Sequence, residues 1–137
     1  MRRVILDTDV ASLSIKGELP AALLRELLGA QVGVTFITLG ELTRWATMRQ
    51  WGATRRTELA AWTDARPTLP YSDEVARTWG EISARASIRG RPRPQNDTWV
   101  AACCLVYGLP LATLNVKDFK DFAEHEGLTI IGGGTAE

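Results

Sequence analysis

Four carboxylate residues of this sequence lie where predicted strands end or predicted helices begin. Asp7 ends the apolar run that opens the chain, while Glu41, Asp97 and Asp118 lie where later helices are predicted to begin. In an open parallel sheet the carboxyl ends of the strands form one edge, so these four side chains are expected to converge there. Clustered carboxylates repel one another unless a cation neutralises them, and Mg²⁺ or Mn²⁺ prefers oxygen ligands. The spacing therefore indicates a divalent-metal site.

Each of these acids also has a purely structural interpretation. Asp7 suits a strand-to-helix turn, where its carboxylate would cap free backbone N–H groups. Glu41 completes Thr38-Leu-Gly-Glu41, which fits the capping-box pattern. Asp97 and Asp118 suit the first turn of a helix, where a negative charge is favourable. Composition and spacing leave both the capping and the metal-site interpretations open.

The elements that would position these acids alternate along the chain. Short β-branched or continuous apolar runs, typical of strands buried on both faces, recur between longer segments with helical spacing. This alternation predicts an α/β domain with a mostly parallel central sheet of four or five strands flanked by helices. We expect one domain over residues 1–131 and a flexible tail over 132–137. The predicted strands are 3–7, 32–37, 68–71, 109–113 and 128–131, and the predicted helices are 20–28, 39–51, 54–65, 73–88, 97–107 and 117–126.

Composition narrows the class of protein. With 137 residues, of which 45% are hydrophobic and 23% charged, the chain resembles an average globular domain. No apolar run approaches the roughly 20 residues that a membrane span needs, so we expect a cytoplasmic protein without membrane contact. The adjacent Cys103 and Cys104 are interpreted as small buried hydrophobic residues. His125 is the one histidine, which excludes a multi-histidine metal site.

The net charge of zero conceals an uneven distribution. Residues 44–93 contain ten arginines and five acidic residues, so this segment carries +5 and the rest of the chain −5. An acidic site beside a basic surface is the arrangement that a metal-dependent enzyme acting on a polyanion needs. Solvated helix faces produce similar counts, so charge alone does not decide between these interpretations.

Four blocks of sequence carry the candidate acids, in this order: Val4-Ile-Leu-Asp7-Thr-Asp9, Ile37-Thr-Leu-Gly-Glu41-Leu, Asn96-Asp97-Thr-Trp-Val-Ala-Ala and Ala112-Thr113-Leu-Asn115-Val-Lys-Asp118-Phe119. Together they resemble the PIN-domain ribonucleases, in particular the VapC toxins of bacterial toxin–antitoxin pairs. The resemblance extends at similar spacing from the first predicted strand to about Phe122, which is nearly the whole chain. It implies a PIN-like fold.

The resemblance also implies roles for individual residues. Asp7, Glu41 and Asp97 match the family's acidic triad. The fourth position of the family's site falls on Asn115 or Asp118, and we favour Asp118 for its charge. The catalytic residues implied are thus these four carboxylates, with Asp7 and Asp97 as metal ligands.

The activity implied by the resemblance is hydrolysis of RNA phosphodiester bonds, with Mg²⁺ or Mn²⁺ as the cofactor. The implied partners are a cognate VapB-like antitoxin and a second copy of the chain in a homodimer. Trp45 and Trp51 would lie on helices that form the antitoxin groove in this family. Thr113 would either orient a water at the site or satisfy backbone groups at a strand end. The residues expected to steer RNA towards the metal are Arg85, Arg89, Arg91 and Arg93, which lead into the loop before Asp97.

Two other classes of function are compatible with parts of the sequence. Asp7-Thr-Asp9 after an apolar strand also fits haloacid-dehalogenase-type phosphatases, in which the first Asp is the nucleophile. Lys117 and Lys120 fit the later part of that family's pattern poorly. The second alternative is a non-catalytic module that binds RNA or protein and whose acids serve only as helix caps.

Overall fold

The structure of the chain, a computed structural model, describes residues 2–132 as a layered arrangement of helices around one sheet. Residues 133–137, which belong to the predicted tail over 132–137, lie outside the described residues. Within residues 2–132 none of the helices is both long and apolar enough to cross a membrane. In chain order the elements are β1 (Arg3–Leu6), α1 (Thr8–Lys16), α2 (Ala21–Leu27), β2 (Gln31–Thr35), α3 (Phe36–Met48), α4 (Ala53–Asp64), β3 (Thr68–Leu69), α5 (Asp73–Ile88), α6 (Gln95–Tyr107), β4 (Leu111–Ala112), α7 (Val116–Glu126) and β5 (Ile130–Ile131).

The five described strands form one sheet in the order β3-β2-β1-β4-β5. Each pairing between neighbouring strands is parallel. Parallel neighbours require a crossover connection, which explains why at least one helix separates each strand from the next along the chain. The predicted α/β class with a central parallel sheet is therefore confirmed.

The central strand β1 anchors a hydrophobic core on each face of the sheet. Successive residues of a strand point to opposite faces. Val4 and Leu6 pack into the core formed with α1 to α4, and Ile5 packs into the core formed with α5 to α7. All three side chains are buried. Burial on both faces explains why this strand is a continuous apolar run instead of an alternating one.

The register of the sheet brings three strand ends to one edge. Ile5 of β1 pairs with Gly33 of β2, and Leu6 pairs with Ala112 of β4. The amide of Asp7 donates to the carbonyl of Ala112 at 3.1 Å, which continues the pairing one residue beyond β1. The residues that follow β1, β2 and β4 therefore emerge at the same carboxyl edge, as the sequence predicted.

The predicted strand over 32–37 and the predicted capping box are wrong in detail. β2 ends at Thr35, whose hydroxyl accepts a hydrogen bond from the amide of Thr38 at 3.2 Å. This contact makes Thr35 the N-cap of α3, so the helix begins at Phe36, three residues earlier than predicted. Thr38 is consequently inside the helix, and Glu41 belongs to its second turn and is not part of a cap.

The helix α1 is missing from the predicted elements. Its N-cap is Asp7, whose Oδ1 accepts a hydrogen bond from the amide of Val10 at 2.9 Å. It ends at Gly17, where a φ of 70° requires the left-handed conformation that glycine adopts readily. The predicted capping role of Asp7 in a strand-to-helix turn is therefore present, but the nine-residue helix that follows was not predicted.

The other predicted elements exist, with shifted ends. The predicted helix 73–88 has the bounds of α5, whereas the predicted helix 39–51 ends earlier and leaves Trp51 in the loop before α4. Strands 68–71, 109–113 and 128–131 are each found as two paired residues. Short apolar segments beside a sheet need not pair along their whole length, which a hydrophobicity pattern cannot reveal.

The cysteines pack as predicted. Cys103 and Cys104 are both buried in α6, and neither forms a disulfide. Burial raises the pKa of the Cys103 thiol to about 12, so the reactive thiolate form is absent at neutral pH. Both residues serve as small apolar side chains between α6 and the sheet.

Ion pairs connect α5 to α7. Arg85 Nη2 lies 2.9 Å from Glu126 Oε1, and Arg89 Nη1 lies 3.7 Å from Glu126 Oε2. Arg89 also donates a hydrogen bond to the carboxylate of Asp121, which is buried. That hydrogen bond, followed by the positive charge of Arg89, holds the pKa of Asp121 below its ordinary value. These contacts position α7, which begins next to the candidate acids.

Replacing Gly33 by alanine should destabilise the sheet. An added Cβ would lie 2.7 Å from the carbonyl oxygen of Pro67. That oxygen already accepts a hydrogen bond from the amide of Val34 at 3.1 Å, so it cannot move away freely. We expect Gly33→Ala to lower the free energy of unfolding by about 2 kcal/mol, which thermal denaturation would register as a fall of about 7 °C in Tm. Gly80→Ala in α5, where a Cβ meets no atom within 4 Å, is the control and should not lower Tm. An unchanged Tm for Gly33→Ala would contradict the close β2–β3 approach.

Replacing Asp121 by asparagine should destabilise the protein in a pH-dependent manner. Asn cannot match the charged hydrogen bond with Arg89, so the free energy of unfolding at pH 7 should fall by about 2 kcal/mol. The pKa of Asp121 lies below its unfolded value of 3.8, so its stabilising effect is present above about pH 4 and disappears as the pH falls further. Urea unfolding at pH 7 and at about pH 3 should show a larger difference between wild type and variant at pH 7 than at pH 3. Glu124→Gln on the exposed side of the same helix is the control, and an equal difference at both pH values would refute the charge argument.

Candidate active site

The carboxyl edge of the sheet contains an acidic pocket with a volume of about 180 Å³. All four predicted site carboxylates line it, together with a fifth carboxylate, Asp9, and the amide side chain of Asn115. The structure thus brings together acids that are up to 111 residues apart in the chain, from position 7 to position 118. The full lining is Asp7, Thr8, Asp9, Glu41, Trp45, Asp97, Val100, Asn115, Asp118 and Phe119.

Asp7 lies at the floor of this acidic pocket, between β1 and α1. Its Oδ1 accepts from the amide of Val10 at 2.9 Å, and its Oδ2 accepts from the hydroxyl of Thr113 at 2.5 Å. Burial raises the pKa of Asp7 to about 6, although both hydrogen bonds act in the opposite direction. Asp7 is therefore a helix cap and a pocket-lining acid at once, so the two interpretations of the sequence are not exclusive.

Thr113, the residue after β4, holds Asp7 in place. Its hydroxyl donates to Asp7 and accepts from the amide of Asn115 at 2.9 Å. Its own amide donates to the carbonyl of Ile131 in β5 at 3.0 Å. A single residue thus connects the central strand, the start of α7 and the last strand. Thr113 thus satisfies a backbone group at a strand end, as one of its two predicted roles requires. Its position beside Asp7 is also compatible with the second predicted role, which is to orient a water at the site.

Glu41 is oriented by two polar partners from other elements. Its Oε1 accepts from the hydroxyl of Thr8 at 2.5 Å, and its Oε2 accepts from the side-chain amide of Asn96 at 3.1 Å. The hydroxyls of Thr8 and Thr38 lie 3.0 Å apart. Thr38, which the sequence suggested as a cap, instead helps to position the residue that orients Glu41. This role of Thr8 was not predictable from local sequence patterns, because its partners are about 30 residues away.

Asp97 faces the other acids from the first turn of α6. Its pKa is raised to about 6, first by burial and then by the negative charges of Asp118 and Glu41. The positive charge of Arg93 opposes these effects only in part. Mutual repulsion of neighbouring carboxylates, which a bound cation would relieve, is what the sequence predicted for this site.

Asn115 and Asp118 both lie in the acidic pocket, so each remains a candidate for the fourth position. Asn115 precedes α7, and its Nδ2 donates to Asp9 Oδ2 at 2.8 Å. Asp118 is in the first turn of α7 and acts electrostatically on Asp97. Asp9 was not among the predicted site residues, although its position two residues after Asp7 at a helix start was an available signal.

The chemistry of the donor set fits a hard divalent cation. Five carboxylates and one amide oxygen line the acidic pocket, and the lining contributed by residues 2–132 includes no lysine or arginine. Oxygen ligands of this kind suit Mg²⁺ or Mn²⁺. Among the described residues, no three acidic, histidine or cysteine side chains are gathered tightly enough to form a ready-made metal cage. A Mg²⁺ site that uses few protein ligands and several waters does not need such a cage.

The family model of the PIN domain matches residues 4–125 of this chain, a range that contains every acid of the pocket. The chain belongs to the PIN domain family. This confirms the resemblance drawn from the sequence blocks and does not favour the haloacid-dehalogenase alternative. No curated protein matches this PIN domain in sequence at a significant level.

Solved structures of VapBC proteins share the fold of this PIN domain. VapBC-1 from nontypeable Haemophilus influenzae matches with a TM-score of 0.81 at 21% identity, covering 97% of this chain and 99% of that chain. VapBC-5 from Mycobacterium tuberculosis, a member of the VapBC family of toxin–antitoxin systems, matches with a TM-score of 0.70 at 27% identity over 96% and 98%. DNA-bound VapBC from Salmonella typhimurium matches with a TM-score of 0.75 at 25% identity over 96% and 98%. The PIN-like fold of the VapC type is thereby confirmed.

The four arginines that were predicted to contact RNA have different surroundings in this PIN domain. Arg85 and Arg89 are engaged by the carboxylates of α7, as described above. Arg91 and Arg93 line a second cavity next to α7. The positive charge of Arg93 lowers the pKa of Asp97 in the acidic pocket. A role in RNA binding stays a prediction for all four, and the ion pairs give Arg85 and Arg89 a structural role in addition.

The two tryptophans assigned to a partner groove also differ. Trp45 on α3 lines the acidic pocket, and the guanidinium carbon of Arg49 lies 5.1 Å from its ring centroid. Trp51 is only 9% exposed and is covered by Arg55 at 4.1 Å. Of the two, Trp45 alone is placed where a molecule approaching the acids would meet it.

Neutralising Asp97 should stabilise this PIN domain in the absence of divalent cations. Its pKa rises from 3.8 to about 6 on folding, so the ionised carboxylate is a cost that appears as the pH rises through that interval. Asp97→Asn removes the charge and should raise the free energy of unfolding at pH 7 by about 1 kcal/mol, allowing for solvent screening. Thermal denaturation in a chelator should show a Tm higher by about 3 °C at pH 7 and no gain below about pH 4. A lower Tm for the variant at pH 7 would show that Asp97 stabilises the fold instead.

Proposed function

We propose that this chain is a metal-dependent endoribonuclease that acts as the toxin of a toxin–antitoxin pair. The observation that carries the proposal is the acidic pocket, where five carboxylates meet without a lysine or arginine in the lining that residues 2–132 provide. Acids kept together at a cost to folding stability are characteristic of a functional site. Family membership and the fold of VapBC structures support the reaction class.

Asp7 and Asp97 are the proposed metal ligands. Both are fixed by the fold at the bottom and side of the acidic pocket, and each presents carboxylate oxygen. A bound Mg²⁺ or Mn²⁺ would polarise a phosphodiester and acidify water, and would neutralise charge that develops in the reaction. Glu41, oriented by Thr8 and Asn96, is placed to hold or orient a water. Asp118 completes the proposed catalytic set from the opposite wall.

The proposed reaction is in-line hydrolysis of an RNA phosphodiester. Water adds to phosphorus, the bond to the 3′ oxygen breaks, and the products carry a 5′-phosphate and a 3′-hydroxyl. Thr113 keeps the carboxylate of Asp7 directed into the pocket, so that its orientation does not have to be established during the reaction. Arg93 provides positive charge that acts on Asp97 and is suited to meet the approaching backbone.

A cognate VapB-like antitoxin and a homodimer are the proposed protein partners. The similar structure from Mycobacterium tuberculosis is a member of the VapBC family of toxin–antitoxin systems, which supports an antitoxin for this chain as well. The surface of α3 is suited to such contact, because Met48 is 66% exposed and Trp45 stands at the lip of the acidic pocket. Trp51 is nearly buried in the core, so its side chain is not accessible to a protein partner. We place the protein in the cytoplasm, where both RNA and an antitoxin would be available.

Asp97→Asn should abolish ribonuclease activity while the fold persists. The side chain keeps its size, but the charge needed to bind the cation is lost, and the cleavage rate should fall by about 100-fold or more. Purified wild-type and variant proteins would be incubated with total RNA, with Mn²⁺ or with a chelator, and the cut ends mapped by sequencing. Mapped ends should carry 5′-phosphates.

Asp64→Asn is the matched control for this experiment, since Asp64 is an exposed acid at the end of α4, outside the acidic pocket. It should cleave as the wild type does. Cleavage by Asp97→Asn at the wild-type rate would refute the site. Retained RNA binding without any Mn²⁺-dependent cleavage by the wild type would favour the non-catalytic binding module.

A further inference from the structure

A second cavity, with a volume of about 400 Å³, lies between α7 and the loop that precedes α6. It has the opposite electrostatic character from the acidic pocket, and we refer to it as the basic cavity. Two arginines come from the loop, and two lysines come from the first two turns of α7. The lining is Arg91, Arg93, Lys117, Lys120, Asp121, Glu124 and His125.

The positive charges of the basic cavity are only partly neutralised within the protein. Asp121 is paired with Arg89, which lies outside the lining, and Glu124 lies 3.8 Å from Lys120. Within residues 2–132 no ion pair engages Arg91, Arg93 or Lys117. The Nε of Arg93 is buried and has no hydrogen-bond partner in the described part of the chain. A buried donor without a partner is uncommon and suggests that the cavity is completed by an acceptor from outside.

The basic cavity and the acidic pocket share two walls. On α7, Lys117 faces the basic cavity whereas the adjacent Asp118 faces the acidic pocket, because neighbouring residues of a helix point about 100° apart. Lys120 lies three residues after Lys117 and therefore on the same side of the helix. On the other wall, Arg93 lines the basic cavity, and its charge reaches Asp97 in the acidic pocket.

We infer that the basic cavity binds a second phosphodiester of the RNA strand whose neighbouring phosphate enters the acidic pocket. This inference rests on the proposed function, because RNA is taken as the substrate. The lysines and Arg91 present exposed charged ends, and Arg93 offers a forked donor suited to phosphate oxygens. Arg85 and Arg89 are positioning residues that hold α7 through Glu126 and Asp121.

A polyanionic strand suits this arrangement better than a free anion does. An isolated phosphate would gain no binding energy from the adjacent acidic pocket. An RNA strand, in contrast, can place one phosphate against the cation-binding acids and another among the arginines and lysines of the basic cavity. Binding both at once makes the second contact intramolecular, so two weak sites give a usable affinity. The cavity would thereby determine which bond of the strand lies over Asp7 and Asp97.

The test measures RNA binding in a chelator on the Asp97→Asn background, where cleavage cannot interfere and the contribution of the basic cavity is measured by itself. Arg91→Ala combined with Lys117→Ala removes two exposed cations, and both are replaceable without disturbing the core. For each phosphate that the variant no longer neutralises, the slope of log affinity against log salt concentration should become shallower by about 0.7. If variant and parent bind equally at 1 M salt, the variant should then bind about fivefold more weakly than its parent at 0.1 M salt. Fluorescence anisotropy with a labelled single-stranded RNA of about 12 nucleotides reports both quantities.

Three controls make the outcome decisive. Arg77→Ala, an exposed arginine of α5 outside both cavities, should leave the affinity and the salt slope unchanged. Arg91→Lys with Lys117 intact should retain most of the binding. Equal Tm values would show that the variants are folded.

An unchanged affinity and slope in the double variant would overturn the inference, as would tighter binding of a hexaglutamate peptide than of an RNA with equal charge. The same holds if inorganic phosphate at low millimolar concentration fills the cavity without competing with RNA. Cleavage by the wild-type protein is scored separately in Mn²⁺, so a nuclease that does not use the basic cavity and an RNA-binding protein without nuclease activity give different results.

Discussion

Repulsion among carboxylates at one edge of the sheet is the constraint on which the rest of the structure depends. Five acids that share a small pocket would move apart into solvent if their backbones allowed it. The parallel register prevents this, because it fixes the ends of β1 and β4 side by side. Hydrogen bonds from threonine hydroxyls then hold individual oxygens of Asp7 and Glu41 in place. The hydrophobic cores on both faces of the sheet supply the stability against which this repulsion is tolerated.

The placement of the acids was predictable from the sequence because it depends on two robust features. Continuous apolar runs indicate strands buried on both faces, and an alternation of strands with helices indicates a parallel sheet. Once those are accepted, the residues after Leu6 and Ala112 must emerge together, whatever the exact bounds of the strands. The predicted strand over 109–113 is longer than β4, but this difference does not change which acids are predicted to lie at the site.

Other parts of the site were beyond prediction, since they depend on contacts between distant residues. The contact of Thr8 with Glu41 and that of Asn115 with Asp9 span 33 and 106 residues. No local pattern signals either. The predicted capping box at Thr38 is absent for a related reason. The Thr38 amide, which Glu41 would bind in a capping box, instead donates to the hydroxyl of Thr35, because β2 ends at that residue. Likewise, four arginines close together in sequence were expected to act together, but the position of α7 separates them into two that pair with acids and two that remain available.

The short strand β5, at the end of the described chain, supports the acidic pocket. β5 contains only two residues, yet the carbonyl of Ile131 receives the amide of Thr113, and Thr113 is the residue that fastens Asp7. Gly132 continues this contact closely, because a Cβ at that position would lie 2.6 Å from the carbonyl oxygen of Thr113. The last few described residues thus support the position of Asp7 through their contact with Thr113. Shortening the protein ahead of Ile131 would loosen the pocket from the rear while leaving every acidic side chain of the pocket in the sequence.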